Sequence, residues 1–156
     1  MLPLELPLLV MAIANVESGL DPKKVGKNGE IGICQISPAT FEYIRLCGKR
    51  YLPSRARTCE LEDMVDSNLN MLYASAYLQM MVFRMKDLKC PDWTWRNIYI
   101  LAAVYHRGLA YVIRRRFDIN RFDTSVISYC ERVGNMYEEL YNAKYGELKE
   151  IMEEKK

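Results

Sequence analysis

LPLLVMAIANVESGLDPKK, residues 6–24, sets an oily helix against an abrupt stop. From Leu6 to Glu17 nearly every position is apolar, with Asn15 the main exception. That pattern predicts a helix buried on most of its sides, not an amphipathic surface helix. Gly19, Asp21 and Pro22 end it. With about 100° of turn per residue, Glu17 falls between Val10 and Ile13 on the stripe shared with Leu6. A carboxyl there lies against core surface, near the electronegative end of its helix. Both influences disfavour the charged form and raise its pKa. The protonated state is what a general acid needs. The competing reading turns Glu17 outward to meet Lys23 or Lys24, and for an isolated Glu that surface role is the commoner one.

Working outward, Val25 to Ile36 carries glycines at 26, 29 and 32 among short apolar residues and reads as a loop or small hairpin. Ser37 is placed to cap a short helix that Pro38 opens and that runs to about Leu46. Asp66 can cap a long helix whose stripe is Leu69, Leu72, Tyr73, Ala76, Met80 and Phe83. A turn around Cys90, Pro91 and Asp92 precedes a helix with Trp95, Ile98, Leu101, Ala102 and Tyr105 that ends by Gly108. A short basic helix holds Arg114, Arg115 and Arg116, and the last helix begins near Thr124 with Val133, Met136, Tyr137, Leu140 and Tyr141. These elements predict a mostly α fold, a compact helical domain over residues 1–146 with a small Gly-rich loop or hairpin beside Glu17. Residues 147–156 are mostly Glu and Lys and read as a charged, solvated C-terminal tail.

Composition narrows the function classes. The 156 residues are 50% hydrophobic and 27% charged, the balance of an ordinary globular domain rather than a disordered chain. A net charge of +2 is too small for a nucleic-acid binder, which concentrates basic residues on one face. No apolar run approaches the roughly 20 residues of a membrane span. Met1 to Val16 lacks a basic leading segment and carries Glu5, so it reads as the first helix and not as an export signal. Five cysteines without a C-x-x-C pair, and one histidine, argue against a zinc site, and no motif calls for a metal or cofactor. Cys47 and Cys59 flank a loop that a disulfide could close; the alternative is that all five cysteines are small buried apolar residues.

The motifs around Glu17 give it a context. Glu17-Ser18-Gly19 is followed by Gly29-Glu30-Ile31-Gly32-Ile33-Cys34-Gln35-Ile36-Ser37-Pro38-Ala39-Thr40. Further on come Asp66-Ser67-Asn68-Leu69-Asn70 with Tyr77-Leu78, then Ala102-Ala103-Val104-Tyr105-His106-Arg107-Gly108, then Tyr129-Cys130 with Val133 and Tyr137. In type, order and spacing this resembles the lytic transglycosylases related to goose-type lysozyme, over roughly residues 7 to 141. The first two motifs are specific together, and the later ones add support through their order.

The resemblance implies an α+β lysozyme-like fold and cleavage of the MurNAc-GlcNAc β-1,4 bond of peptidoglycan, leaving 1,6-anhydro ends. Glu17 would be the catalytic acid/base and Ser18 would belong to the catalytic helix end. Gln35 would hydrogen-bond the glycan, Tyr105 would lie beside Glu17, and Tyr129 would help hold its carboxyl. Each has a plainer role open to it: Ser18 and Gln35 as backbone-binding groups, Tyr105 and Tyr129 as core aromatics. Asn70 reads as structural. The partner implied is the peptidoglycan glycan strand, met by a monomer in the cell envelope, periplasm or outside the cell.

The chain departs from the family pattern at specific places. His106 stands where an asparagine is usual and Arg107 replaces a small residue; an imidazole there still donates one hydrogen bond and is titratable. Cys34 replaces a methionine. Glu30 occupies a position usually held by alanine and is expected to point from the loop into solvent; turned inward, it would offer the second carboxyl of a hydrolase. Other readings remain: a non-catalytic peptidoglycan-binding or secretion-apparatus module, favoured by His106-Arg107, and a cysteine hydrolase pairing Cys34 with His106.

Overall fold

The computed structural model describes residues 4–87 and 95–153, with the side chains of residues 87, 95, 96 and 147–153 left aside. Among the described residues are six α-helices, joined by loops and four short 3-10 turns: α1 (Leu6–Ser18), α2 (Pro38–Cys47), α3 (Ser67–Asp87), α4 (Trp95–Arg107), α5 (Leu109–Arg114) and α6 (Thr124–Glu153). No strand occurs among the described residues. Residues 24–36 instead fold as a loop tied by two isolated antiparallel bridges, Val25 to Ile31 and Ile31 to Ile36. The predicted turn at Cys90, Pro91 and Asp92 lies outside the described residues.

α1 is the central helix, packed along α6 on one side and α3 on another. Leu9, Ala12, Ile13 and Ala14 have no exposure at all, as its near-continuous apolar run requires. Gly19 ends the helix in the left-handed conformation at φ 66°, where its N–H reaches the carbonyls of Ala14 and Asn15. Ala74 and Ala76 of α3 and Ala102 and Ala103 of α4 are fully buried, and such small side chains let helices approach closely. At Gly134 of α6 an added Cβ would come within 2.7 Å of the Tyr99 ring, so the glycine sets how near α4 lies. Ser37 and Asp66 cap as predicted: the Thr40 N–H donates to Ser37 Oγ at 3.1 Å and the Leu69 N–H to Asp66 Oδ1 at 2.9 Å. No helix of the described residues is long and apolar enough to cross a membrane.

Some sequence expectations fail locally. Phe83 does not continue the buried stripe of α3; it is 50% exposed, and the Arg50 guanidinium covers its ring at 4.7 Å while Met81 and Met85 take the inward positions. α5 ends at Arg114, because Arg116 and Phe117 both have φ 56° and reverse the chain before a basic helix can extend. No disulfide closes the Cys47–Cys59 loop: both thiols are free. Cys59 is pinned in the core between the Ala56 carbonyl and the Tyr73 hydroxyl, each at 3.1 Å, while Cys47 is exposed at the end of α2 and so is not buried either.

Candidate active site

Glu17 is the next-to-last residue of α1, where the buried helix meets solvent. A cleft of about 610 Å³ opens there, between the end of α1, the 24–36 loop and α4. Glu17, Glu30, Gln35, Tyr77, Tyr105 and His106 line it. Burial is the largest influence on the Glu17 carboxyl and raises its pKa. The Tyr129 hydroxyl, donating to Glu17 Oε1 at 2.7 Å, pulls the other way, as do the charges of Lys24 and Arg132; Glu30 adds to the upward push. Lys24 does meet Glu17, but at its backbone: Nζ donates to the Glu17 carbonyl oxygen. That contact offsets the negative end of the helix and leaves the side chain facing the cleft.

α6 brings in Tyr129, which is 3% exposed and lies 112 residues from Glu17 in sequence. Its ring stacks on the His106 imidazole with centroids 4.2 Å apart and planes 12° apart. Burial and the cations of Arg107 and Arg132 lower the His106 pKa, so the ring is neutral near pH 7. Tyr105 also lines the cleft, edge-on to Tyr77 at 5.8 Å, but its hydroxyl donates to the Cys34 carbonyl at 2.8 Å and so anchors the loop.

Side chains bonding to backbone add to the loop's own backbone bonds, such as the Gly26 N–H to the Glu30 carbonyl and the Ile31 N–H to the Ile36 carbonyl. Ser18 Oγ reaches the carbonyls of Ile33 at 2.8 Å and Ala14 at 3.1 Å, tying α1 to the loop. Gln35 has φ 52°, a left-handed conformation that costs a non-glycine residue roughly 1–2 kcal/mol. Its Nε2 donates to the carbonyls of Lys24 at 3.0 Å and Gly32 at 2.9 Å, which leaves Oε1 as its unengaged polar atom. Asn70, fully buried, accepts from the Cys34 N–H and donates to the carbonyls of Ile31 and Met64, all at 2.8 Å. A Cβ on Gly32 would lie 2.2 Å from both Asn70 Nδ2 and the Met64 carbonyl oxygen. Glycine is required at this position for space as well as for its φ of 81°.

Glu30 meets solvent at the edge of the cleft, with Oε2 accepting from the Asn28 N–H at 2.9 Å and Oε1 from Asn28 Nδ2 at 3.0 Å, and these bonds lower its pKa and keep it ionised. Cys34 is fully buried and its thiol is pushed up to about 12 by that burial and by Glu17. With His106 stacked on Tyr129, no reactive thiolate–imidazole pair exists and the cysteine-hydrolase reading falls. Sequence reasoning missed Lys24, Lys27 and Thr40 as cleft residues and Arg132 as a neighbour of Tyr129. Arg132 follows Tyr129 by one helical turn, a spacing that could have flagged it.

A helical core whose central helix delivers one acid into a groove defines a lysozyme-like domain, and the comparisons with known proteins agree. Residues 5–126 match the family described as Transglycosylase SLT domain, and the chain belongs to that family. The fold is similar to that of the 70 kDa soluble lytic transglycosylase from Escherichia coli, with a TM-score of 0.62 and 21% sequence identity. The match covers 89% of this chain and 22% of that one, so this chain spans about a fifth of that protein's length. None of the curated protein sequences matches this chain.

Proposed function

We propose that this chain cleaves the MurNAc-GlcNAc β-1,4 bonds of peptidoglycan strands and leaves 1,6-anhydro-MurNAc ends, with Glu17 as the single acid/base. One observation carries the reading: a half-buried carboxyl with a raised pKa faces an open cleft at the end of a core helix, steadied by the Tyr129 hydroxyl at 2.7 Å. Because Tyr129 donates to Oε1, the proton belongs on Oε2. Glu17 passes it to the bridging oxygen as the anomeric C–O bond breaks. Positive charge builds on the anomeric carbon, and the neighbouring N-acetyl oxygen stabilises it. The C6 hydroxyl of the same muramic acid then attacks that carbon and returns its proton to Glu17. No water is consumed, and an intramolecular nucleophile needs no separate positioning.

Peptidoglycan lies outside the cytoplasm, so the envelope, periplasm or extracellular space is the proposed working site, with a monomer as the working unit. Mass spectrometry of released fragments tests the reaction: anhydro ends are expected. A second reading, a hydrolase with Glu30 as base, is favoured by the ionised Glu30 in the same cleft and predicts water-added reducing ends instead. Glu17→Gln should release no soluble fragments while remaining folded. Cleavage by that variant would remove Glu17 from the mechanism, and an inactive wild type would leave a binding module.

A further inference from the structure

A pyranose ring presents two kinds of surface: a rim of hydroxyls, and flat faces of axial C–H bonds that behave as apolar area. The cleft has groups suited to each. Gln35, Ser37 and Thr40 bring polar atoms to it, and three aromatic side chains line it, Tyr77, Tyr105 and His106. Tyr77 and Tyr105 are half-buried and turned edge to face on each other, with planes at 83°. His106 is the exposed ring of the three.

Stacking fixes that ring. One face of the imidazole lies on the Tyr129 ring, with 4.2 Å between centroids and 12° between planes. Among the described residues neither imidazole nitrogen has a hydrogen-bond partner, so the stack sets the plane. Tyr129 is itself held, being 3% exposed with its hydroxyl on Glu17 at 2.7 Å. With the inner face covered, the exposure of His106 belongs to its edge and its outer face. The space beside it is open: Gly108 also lines the cleft, and a Cβ there would meet nothing within 4 Å. An uncharged imidazole keeps the electron-rich face that attracts C–H bonds.

We propose that the outer face of His106, backed by Tyr129, is a stacking platform for the apolar face of a sugar ring beside the bond that Glu17 protonates. The inference rests on the glycan strand as substrate. It gives the departure from the family pattern a chemical meaning: an asparagine here offers a sugar hydrogen bonds, whereas a flat ring offers it area. Tyr129 then serves both functions, since one side chain holds the acid and backs the platform.

His106 is the one histidine of the chain, so its ring protons can be followed without ambiguity. The test titrates a GlcNAc-MurNAc tetrasaccharide into Glu17→Gln, where cleavage is not expected, and reads proton NMR. Nuclear Overhauser contacts should join the His106 ring protons to axial sugar protons, whose signals should shift upfield. His106→Asn and His106→Ala, each added to Glu17→Gln, should weaken binding about tenfold, the scale of one stacking contact, and His106→Phe should restore it. With Glu17 intact, His106→Ala should raise KM by a similar factor with kcat little changed. Binding kept by His106→Asn and lost in His106→Phe overturns the proposal in favour of hydrogen bonding. A lower kcat at unchanged KM also overturns it, by making His106 a support for Tyr129. Tetrasaccharide bound without contacts at His106 overturns the platform alone. A chain that neither binds the tetrasaccharide nor releases fragments from peptidoglycan overturns the substrate reading, and the platform with it.

Discussion

The two walls of the cleft are built in opposite ways. On the helical wall, Glu17, Tyr129, Tyr105 and His106 stand on α1, α6 and α4, whose inner faces are locked in the core. Only side chains meet around the carboxyl there: the Tyr129 hydroxyl on Glu17, the His106 ring on Tyr129. On the loop wall the side chains of Ser18, Gln35, Asn70 and Tyr105 bond to backbone, because the two isolated bridges of residues 24–36 leave part of it unpaired. Packing thus holds the groups of the proposed chemistry on one side, and a polar network holds the shape of the other. A substitution at Glu17 or Tyr129 should alter reaction, and one at Asn70 or Ser18 should alter stability.

Glu17→Gln is the most severe trial of that division. It should cut fragment release by about a thousandfold, within the range for loss of a general acid, and circular dichroism should show the helices intact. The raised pKa of Glu17 adds a sign. A carboxyl that prefers to stay protonated in the fold supports stability at acidic pH and loses that support as pH rises through its folded value. The Gln variant lacks that loss, so its Tm should exceed the wild type's at neutral pH and converge with it in acid. Equal Tm values across the range would mean the carboxyl is not desolvated.

Asn70→Ala should show the reverse pattern. It leaves the Cys34 N–H and the carbonyls of Ile31 and Met64 without their partner, which should cost about 3 kcal/mol in urea unfolding. Tyr129→Phe returns to the chemical wall: cleavage should fall about tenfold through looser orientation. Loss of a bond that favours the carboxylate should move the alkaline limb to higher pH. Ser18→Ala should lower stability by about 1 kcal/mol and leave that limb in place, since its hydroxyl serves the Ala14 and Ile33 carbonyls. Smallest of all, a reducing agent should leave Tm unchanged, because Cys47 and Cys59 are free thiols; a drop would reveal a bridge.

Local pattern was enough for whatever depends on near neighbours. The apolar run from Leu6, the Ser37 and Asp66 caps and the stop at Gly19 are short-range effects, and each helix they imply is present. The acid at the end of the oily helix was legible for the same reason, since its angular place follows from helical turn alone. Three-dimensional packing decided the rest. Tyr129 reaches Glu17 across 112 residues, as the family resemblance implied, and Asn70 reaches Cys34 across 36; no periodicity encodes either contact. Phe83 lost its inward place, and Cys59 bonded to Tyr73 rather than to Cys47, because competing partners exist only once the helices are assembled. Glu30 shows the same limit: the sequence supplies a charge four residues after a glycine, but only the folded turn brings its carboxylate beside Gly26 at the cleft.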